Sequence, residues 1–546
     1  MSKILEYFPL ERARRSQQDV LKAIEKAFAE GYKNVLLEAP VGSGKSAIAV
    51  TVAQYFKSAH VLTPRKSLQD QYRDDFEHRD VNLVLMKGRS SYPCTGLSSE
   101  NLTEYFNVAD AIVAGQAVTP QRGKTCNDGL CIKSSAYRDR CVDRERFPDG
   151  YEDKFPCPYH VAITTAQESS IIVHNLHSFI FQSYFAGRFV EREILIIDEC
   201  HEVEGIIRGF SEKSFLIPKN IPDADIAEQK QAATSLAHWA DWFEEYADQF
   251  SNRKGSDGIS EQEAFLTSIE NFKGLSDYIG EKFVVSIEKP ILNGNIKTKL
   301  TFIPEQISAL VDSFLLSYGR KRLLMSGTIY NKTLYCKNNG LKEDETCFIR
   351  IGSTFPKATR PIYFKDDYKV DTSHKFWDQN FNDMIAKIKS VMEVFDDVKG
   401  LIHTPSYQAS LTIQQALRDT GRIVAHTKDD LQQTLAAFYE TEEPKVLLSP
   451  VCQQGVDFKY DRARFQIVIR VPYLNTSDPF MDYKVKNDFP WYNYQALVIF
   501  GQQIGRVNRS EDDFGVTVLM DERFGKFISR NRNVLPKWLT EAIIYK

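Results

Sequence analysis

The segment Ala39-Pro40-Val41-Gly42-Ser43-Gly44-Lys45-Ser46 has the residue types of a loop that binds phosphate groups. Gly42 and Gly44 allow backbone N–H groups to turn toward an anion. Lys45 can place its charge on the β- and γ-phosphates of a nucleotide, and the Ser46 hydroxyl can ligate Mg²⁺. Ala39 stands where the G-x-x-x-x-G-K-[ST] pattern begins with glycine, and the alternative is a glycine turn that precedes a lysine by chance. The apolar run before the loop and the helical sequence after it favour nucleotide binding, with the reaction left open.

An acidic pair, Asp198 and Glu199, follows the apolar run Glu193–Ile197. Ligands of parallel α/β sheets lie at the carboxyl ends of the strands, where this pair is expected. Asp198 can hold Mg²⁺ through water while Glu199 polarises an attacking water, as hydrolysis of a γ-phosphate requires. The alternative is a solvated turn, but the phosphate-type loop upstream favours the catalytic interpretation.

Two arginines near the carboxyl end, Arg506 and Arg509, are three residues apart, and this spacing predicts that they share a helix face. Arginine side chains can stabilise the charge that spreads over a phosphoryl group during its transfer. We therefore expect a nucleotide to lie between two α/β units, the second of which has no phosphate loop of its own.

Five of the nine cysteines fall in one charged, turn-rich segment that has few apolar residues: Cys94, Cys126, Cys131, Cys141 and Cys157. Their spacing does not match the paired C-x2-C pattern of a zinc ribbon. Thiolates drawn from scattered loop positions can also hold an iron–sulfur cluster. Zinc, an iron–sulfur cluster and unassociated cysteines therefore all remain open at this point.

Apolar runs alternate with helical segments around these residues and predict parallel sheets with helices on their faces. A first set of strands is predicted at Val35–Leu37, His60–Leu62, Ile171–His174, Glu193–Ile197 and Arg322–Met325. A second α/β unit is predicted from about Ile349, with strands at Leu401–His403, Val446–Leu448, Ile467–Val471 and Val516–Met520. The segment 202–321 is charged and predicted to be largely helical, with the apolar side chains of Leu236, Trp239 and Phe243 in its core.

The 546 residues are 42% hydrophobic and 26% charged, which is typical of a globular protein with several domains. The net charge of -4 does not indicate a polyanion partner, so any nucleic acid would have to bind in a local groove. The sequence has no apolar run long enough to cross a membrane. It also has no secretion-signal pattern at its start. We expect an intracellular, cytoplasmic protein, associated with the nucleoid if it is prokaryotic or viral.

Taken together, these segments resemble the superfamily 2 helicases of the XPD/DinG type. The matching segments are Arg15–Gln18 (Q motif), Ala39–Ser46 (motif I), Thr63–Gln71 (motif Ia), Asp198–His201 (motif II), Ser326–Thr328 (motif III), Gly455–Phe458 (motif V) and Gln502–Arg509 (motif VI). Cys94 and Cys157 are similar in context to the first and last iron–sulfur cysteines of that family. Cys200 and Gln454 differ from the alanine and glutamate usual in motifs II and V.

The resemblance implies an α/β fold with two RecA-like parallel-sheet motor domains, and an iron–sulfur domain and a helical Arch domain inserted in the first. The corresponding ranges are 1–89, 161–203 and 321–348 for RecA-like domain 1, 90–160 for the iron–sulfur domain, 204–320 for the Arch and 349–546 for RecA-like domain 2. It also implies ATP, Mg²⁺ and a [4Fe-4S] cluster as cofactors. The implied nucleotide-binding residues are Arg15, Gln18, Ala39 to Ser46, Asp457 and Gln502. The residues implied in hydrolysis are Lys45, Asp198, Glu199, Arg506 and Arg509. Ser46 and Asp198 are implied as ligands of Mg²⁺, and four of the five clustered cysteines as ligands of the iron–sulfur cluster.

The activity that the resemblance implies is ATP-driven movement of a monomer along single-stranded DNA, 5′ to 3′, with opening of duplex junctions in DNA repair, replication or recombination. Its loading protein is unknown. One alternative is an RNA-directed helicase or a translocase that does not unwind, because both share these motifs. Another is a nucleotide-gated binding protein that senses redox state through its cluster.

Overall fold

The computed structural model describes residues 2–79, 81–92, 125–126, 157–217, 222–232, 235–251, 282–292, 295–296, 298–452, 456, 458–510 and 512–545. The chain divides into two units. The first comprises Met1–Glu202, Asp312–Gly327 and Lys342–Ile351, and the second comprises Val203–Val311, Thr328–Leu341 and Gly352–Lys546.

The strands of the described residues are β1 (Asn34–Glu38), β2 (Ala59–Thr63), β3 (Leu83–Met86), β4 (Ile171–Asn175), β5 (Arg192–Ile197), β6 (Lys213–Ile217), β7 (Phe283–Glu288), β8 (Ile291–Leu292), β9 (Asn295–Ile296), β10 (Thr298–Pro304), β11 (Gly319–Ser326), β12 (Thr346–Arg350), β13 (Ile362–Tyr363), β14 (Gly400–His403), β15 (Ile423–Ala425), β16 (Val446–Ser449), β17 (Phe465–Val468), β18 (Val516–Leu519) and β19 (Ile543–Ile544). The α-helices are α1 (Arg15–Ala29), α2 (Lys45–Phe56), α3 (Lys66–Phe76), α4 (Pro158–Glu168), α5 (Leu176–Ile180), α6 (Val203–Ser211), α7 (Asp223–Ala232), α8 (Leu236–Ser251), α9 (Ser308–Phe314), α10 (Lys332–Asn338), α11 (Phe381–Val394), α12 (Tyr407–Ala416), α13 (Leu431–Glu440), α14 (Pro479–Asn487), α15 (Phe489–Ile504), α16 (Phe524–Asn531) and α17 (Lys537–Thr540).

The first unit contains a seven-stranded parallel sheet in the order β12-β1-β11-β5-β2-β4-β3. All five residues of β1 and of β2 are buried, as expected for strands covered on both faces. Helices α1, α2 and α3 bury their apolar positions against one face, in a core that includes Leu21, Ile48 and Tyr72. The predicted strands of this unit are confirmed, and β12 adds Ile349 to this first sheet rather than to the second unit.

The second unit contains another seven-stranded parallel sheet, in the order β15-β16-β14-β17-β18-β13-β19. Helix α11 packs on it through Met384 and Ile388, and α15 packs through Leu497 and Phe500. The four strands predicted for this unit correspond to β14, β16, β17 and β18. The prediction of two parallel-sheet α/β units is therefore confirmed.

The segment after Glu202 departs from the expected, largely helical structure. It contains a three-stranded antiparallel sheet, β6-β10-β7, on which α8 packs. Leu300 and Phe302 of β10 are fully buried against Trp239 and Phe243 of α8, so the core interpretation of these aromatic side chains is confirmed. The strands were missed because the charged composition of the whole segment outweighed two short runs rich in valine, isoleucine and phenylalanine, residues that favour strands.

A buried polar cluster joins α6 to α15 within the second unit. Glu204 accepts hydrogen bonds from Trp491 Nε1 and from Gln495 Nε2, the latter at 3.0 Å. Arg208 donates to Glu204 at 2.8 Å and lies 4.3 Å from the centre of the Phe480 ring. Because both charged side chains are almost fully buried and paired, this contact fixes the angle at which α6 enters the unit. None of the described helices is both long and apolar enough to cross a membrane.

Candidate nucleotide site

The predicted phosphate loop lies between the end of β1 and the first turn of α2. Gly42 and Gly44 have φ angles of 78° and 79°, in the left-handed region that side chains other than glycine rarely adopt. Ala39 N donates to Ser326 O at 2.9 Å, which ties the start of the loop to the end of β11. The Ser43 hydroxyl is buried and makes no hydrogen bond within the described part of the chain. A helix N-terminus behind a loop of this shape is suited to an anion.

The Lys45 ammonium points back over this loop. Its Nζ atom lies 3.5 Å from Ala39 O and 3.5 Å from Glu199 Oε1. The structure thus brings together residues from the two sequence segments that were predicted separately, motif I and motif II. A lysine that bridges the loop and a carboxylate can transfer its contact to a phosphate oxygen when a nucleotide enters.

The residues before the loop show a shift of one position from the prediction. Arg14 Nη2 donates to Gly42 O at 2.9 Å, and the buried amide of Gln17 donates to Ser43 O at 3.4 Å. Arg15 is exposed at the first turn of α1, and Gln18 donates instead to Ala13 O at 2.9 Å. The helical spacing contained the signal, because Gln17 precedes Val20 and Leu21 on the buried face of α1.

Asp198 and Glu199 lie directly after β5, at the carboxyl end of the first sheet. Asp198 is 3% exposed, and its Oδ1 atom accepts from Glu199 N at 2.9 Å. Burial, followed by the charge of Glu199, raises the pKa of Asp198 to about 6, against the opposing effect of Lys45. Glu199 has a φ of 48°, a strained conformation of the kind found at functional sites. Two carboxylates beside a single lysine favour the binding of a further cation.

His201, which the sequence prediction did not single out, links motif II to motif III. Its Nδ1 atom lies 2.8 Å from Ser326 Oγ and 3.3 Å from Glu199 Oε2. The side chain is only 4% exposed, so water competes little for these contacts. Ser326 also accepts from Ala39, and the phosphate loop, the acidic pair and the end of β11 therefore form one hydrogen-bonded cluster in the first unit.

The motif VI residues of the second unit form a separate cluster. Arg506 is 6% exposed and donates to Gln502 Oε1, Gln502 O and Val456 O, each at 2.9 Å. Gln502 Nε2 donates in turn to Thr328 Oγ1 at 2.8 Å. Asp457 lies outside the described residues.

The prediction that Arg506 and Arg509 share a helix face is wrong. Helix α15 ends at Ile504, and both arginines follow it in a loop. Asn508 Nδ2 donates to Asp513 O at 2.7 Å, and Asp513 Oδ2 accepts from Arg509 N at 3.1 Å. These hydrogen bonds through side chains take the place of the backbone hydrogen bonds that a continuing helix would make.

Two of the five clustered cysteines lie within the described residues, and they meet. Cys126 and Cys157 are buried, with their sulfurs 3.7 Å apart. Cys126 N donates to Tyr92 O at 2.8 Å, and the Tyr92 and Tyr159 rings pack 5.7 Å apart beside them. The hydrogen bond from Cys126 lowers the pKa of Cys157 to about 7, against the effect of burial. Cys94, Cys131 and Cys141 lie outside the described residues.

Two protein-family models match the chain. The model described as a helicase C-terminal domain matches residues 388–542, and the model described as the res subunit of type III restriction enzymes matches residues 11–216. The first match covers most of the second sheet, and the second includes the phosphate loop and the acidic pair.

Several characterised proteins have similar sequences. The Fanconi anemia group J protein homolog of Gallus gallus is 29% identical over 21% of this chain, and the XPD/RAD3 helicase subunit of factor IIH of Saccharomyces cerevisiae is 33% identical over 16%. The chain spans only 11% and 12% of these two relatives. The ATP-dependent DNA helicase YoaA of Escherichia coli is 21% identical, over 94% of this chain and 92% of YoaA.

The fold is also similar to solved structures. An XPD helicase structure matches with a TM-score of 0.58 at 18% identity, over 98% of this chain and all of that one. The structure of S. tokodaii Xpd4 matches with a TM-score of 0.57 at 13% identity, again over 98% of this chain. At these identities the similarity establishes the fold, with two RecA-like sheets, and the chemistry has to be argued from the residues.

Proposed function

We propose that this chain is a superfamily 2 helicase of the XPD/DinG type, an ATP-dependent DNA helicase that moves 5′ to 3′ along single-stranded DNA. The observation that carries the proposal is the meeting of Lys45, Glu199 and Asp198 over a loop with two left-handed glycines. A site that combines an anion-binding loop, a lysine and two carboxylates is suited to a nucleotide with its metal ion.

Each residue of the site has a proposed role in hydrolysis. Lys45 exchanges Glu199 for a phosphate oxygen, and the released Glu199 carboxylate orients the attacking water. Ser46 and Asp198 would hold Mg²⁺, which supplies charge neutralisation on the phosphates. The donor set fits this ion, because hydroxyl and carboxylate oxygens are the ligands that Mg²⁺ prefers.

Further positions complete the proposed nucleotide site. Gln17 and Arg14 hold the phosphate loop, and Arg15 and Gln18 beside them are proposed to bind the nucleotide. Arg506, Arg509, Gln502 and Asp457 are proposed to act on the nucleotide from RecA-like domain 2. The domain ranges given above, with the iron–sulfur domain at 90–160 and the Arch at 204–320, are proposed on the same family premise, except that β11 and β12 extend RecA-like domain 1 over 319–326 and to Arg350.

The cysteine segment is proposed to hold a [4Fe-4S] cluster. Cys126 and Cys157 are ligands of the right chemical type, because both are buried thiols and the thiolate of Cys157 is favoured; to bind separate irons of a cubane their sulfurs would have to move apart from the 3.7 Å seen here. One observation favours a second candidate: sulfurs bound to a single zinc ion at about 2.3 Å lie about 3.8 Å apart, close to the 3.7 Å seen here. Metal analysis of anaerobically purified protein distinguishes iron, with broad absorbance near ~400 nm, from colourless protein with zinc.

The activity is tested by strand displacement on substrates with 5′ or 3′ single-stranded tails, with matched DNA and RNA strands. We expect ATP-dependent unwinding of DNA with a 5′ tail. Unwinding of RNA alone, or ATP turnover without unwinding, would favour the RNA-directed helicase or the translocase. Binding of nucleotide without turnover would favour a redox-sensing binding protein. We further propose that the protein acts inside the cell as a monomer on single strands and duplex junctions.

A further inference from the structure

Helix α3 brings a phenol to Asp198, one of the two residues that are proposed to hold Mg²⁺. Tyr72 is 1% exposed, and its hydroxyl donates to Asp198 Oδ2 at 3.2 Å. One side chain from outside motifs I and II therefore contacts the candidate metal ligand of motif II.

The position of Tyr72 is fixed from both sides. Gln69, one turn earlier on α3, is fully buried and donates to Met86 O at 2.9 Å and to Val173 O at 2.8 Å. These bonds attach α3 to the carboxyl ends of β3 and β4. Phe76, one turn later, is 2% exposed and packs in the core of the first sheet. The phenol is therefore presented by an anchored helix and not by a mobile loop.

The hydrogen bonds of Asp198 leave a defined direction for a cation. Glu199 N donates to Oδ1 and the Tyr72 hydroxyl donates to Oδ2, so both carboxylate oxygens are fixed and each retains a further lone pair. A phenylalanine would fill the same space, and the packing of the helix alone does not explain a hydroxyl at this position. Partners that orient a metal ligand commonly contribute to metal affinity.

We propose that Tyr72 is a positioning residue for Mg²⁺, which holds Asp198 in the orientation in which it ligates the ion that accompanies ATP. This inference rests on the proposed nucleotide function of the phosphate loop. It also assigns a role to α3, whose first residues resemble motif Ia: movement of this helix would change the metal site directly, through one phenol.

Tyr72→Phe tests the proposal, because it deletes one oxygen and keeps the ring. Binding of a fluorescent ADP analogue is measured over a range of Mg²⁺ concentrations, and thermal unfolding is measured in EDTA. We expect the Mg²⁺ concentration for half-maximal nucleotide binding to rise about tenfold, while nucleotide binding in EDTA is unchanged. Tyr72→Leu, which removes the ring as well, should show the same Mg²⁺ shift together with a lower melting temperature.

Phe76→Leu is the matched control on the same helix, since it disturbs packing without removing a polar atom. It should lower the melting temperature and leave the Mg²⁺ requirement as in the wild type. A wild-type Mg²⁺ requirement in Tyr72→Phe, or an equal shift in Phe76→Leu, overturns the role of Tyr72 while the nucleotide site stands. Absence of Mg²⁺-dependent nucleotide binding in the wild type overturns both the proposed function and this inference.

Discussion

The two parallel sheets hold their functional side chains in different ways. At the carboxyl end of the first sheet, Lys45 contacts Glu199 beside the buried Asp198, so charged groups contact charged groups. In the second unit, Arg506 donates to the amide and carbonyl of Gln502 and to a backbone carbonyl, which are neutral acceptors. The first arrangement can exchange partners when an anion and a cation enter. In the second arrangement, neutral acceptors hold Arg506 in one orientation, so that its positive charge is fixed in position.

The largest expected effect tests the first half of this comparison. Lys45→Ala removes the cation that faces the phosphates, and loss of one such charge commonly costs about a hundredfold or more in rate. DNA-stimulated ATP turnover should fall at least that far and unwinding should be abolished, with an unchanged melting temperature. Lys22→Ala, on the outer part of α1, is the control. A Lys45→Ala protein that keeps more than half of the turnover would refute the assignment of this loop.

The cysteine pair extends the comparison, because Cys126 and Cys157 belong to the first unit. Cys94→Ser and Cys157→Ser should each lose the metal centre, since a segment with little apolar area depends on bound metal for its order. Unwinding should be lost while some ATP turnover survives. Of Cys126, Cys131 and Cys141, one should tolerate serine, because a cubane cluster needs four thiolates. Metal content and unwinding are measured beside Cys336→Ser, a buried cysteine of the second unit.

Arg506→Ala tests the second half of the comparison. We expect kcat for ATP to fall about tenfold or more with little change in nucleotide affinity, because an arginine contact strengthens as charge develops on the phosphoryl group. Arg506→Lys, which keeps the charge and loses the fork of donors, separates charge from hydrogen bonding. Weaker ATP binding with normal turnover at saturation would make Arg506 a ground-state contact instead.

The smallest expected effect concerns buried histidines in the two sheets. In the first sheet His60 and His174 contact each other at 3.1 Å, and burial lowers the pKa of His60 to about 3 and that of His174 well below its usual value. In the second sheet, burial lowers the pKa of His403 to about 4. The unfolded chain takes up these protons near pH 6.5 and the folded chain does not, so stability is present above about pH 6.5 and is lost as the pH falls toward 4.

Each histidine contributes up to about 1.4 kcal/mol per pH unit in that window. In His174→Leu, the free energy of unfolding should fall less steeply between pH 6.5 and 4.5, because about one proton fewer is taken up on unfolding. His403→Leu should do the same for the second sheet. Urea unfolding over this pH range is the measurement, and a slope in His174→Leu equal to that of the wild type would show that the pair takes up protons while folded.

The sequence predicted best those features that depend on one local pattern. Strands buried on both faces are short apolar runs, so β1, β5, β14 and β16 were found within one residue at each end. The phosphate loop was found because its glycines, lysine and serine are consecutive. Contacts between two distant segments were missed, such as the hydrogen bond from Gln17 to the phosphate loop, and Tyr72 had no signal beyond an ordinary core residue of α3.

The end of α15 shows a different reason for failure. A spacing of three residues predicts a shared face only if the helix continues, and Asn508 and Asp513 provide the side-chain hydrogen bonds that let it stop at Ile504. The strands of the segment after Glu202 were missed because its charged composition outweighed their short apolar runs, and because β6 pairs with β10 far later in the chain, a pairing that no local period reveals.

The strand order of the first sheet has a consequence for how the protein is made. Strand β1, which leads into the phosphate loop, pairs only with β11 and β12, so that Asn34 lies opposite Arg322 and Thr346. A ribosome therefore produces β1 early and both of its neighbours after most of the chain has emerged. Until then this strand, with its apolar centre Val35 to Leu37, has two open edges, which is the state in which nascent chains aggregate or recruit chaperones. Synthesis stopped before residue 319 should yield a chain in which the loop is present in sequence and unable to bind nucleotide.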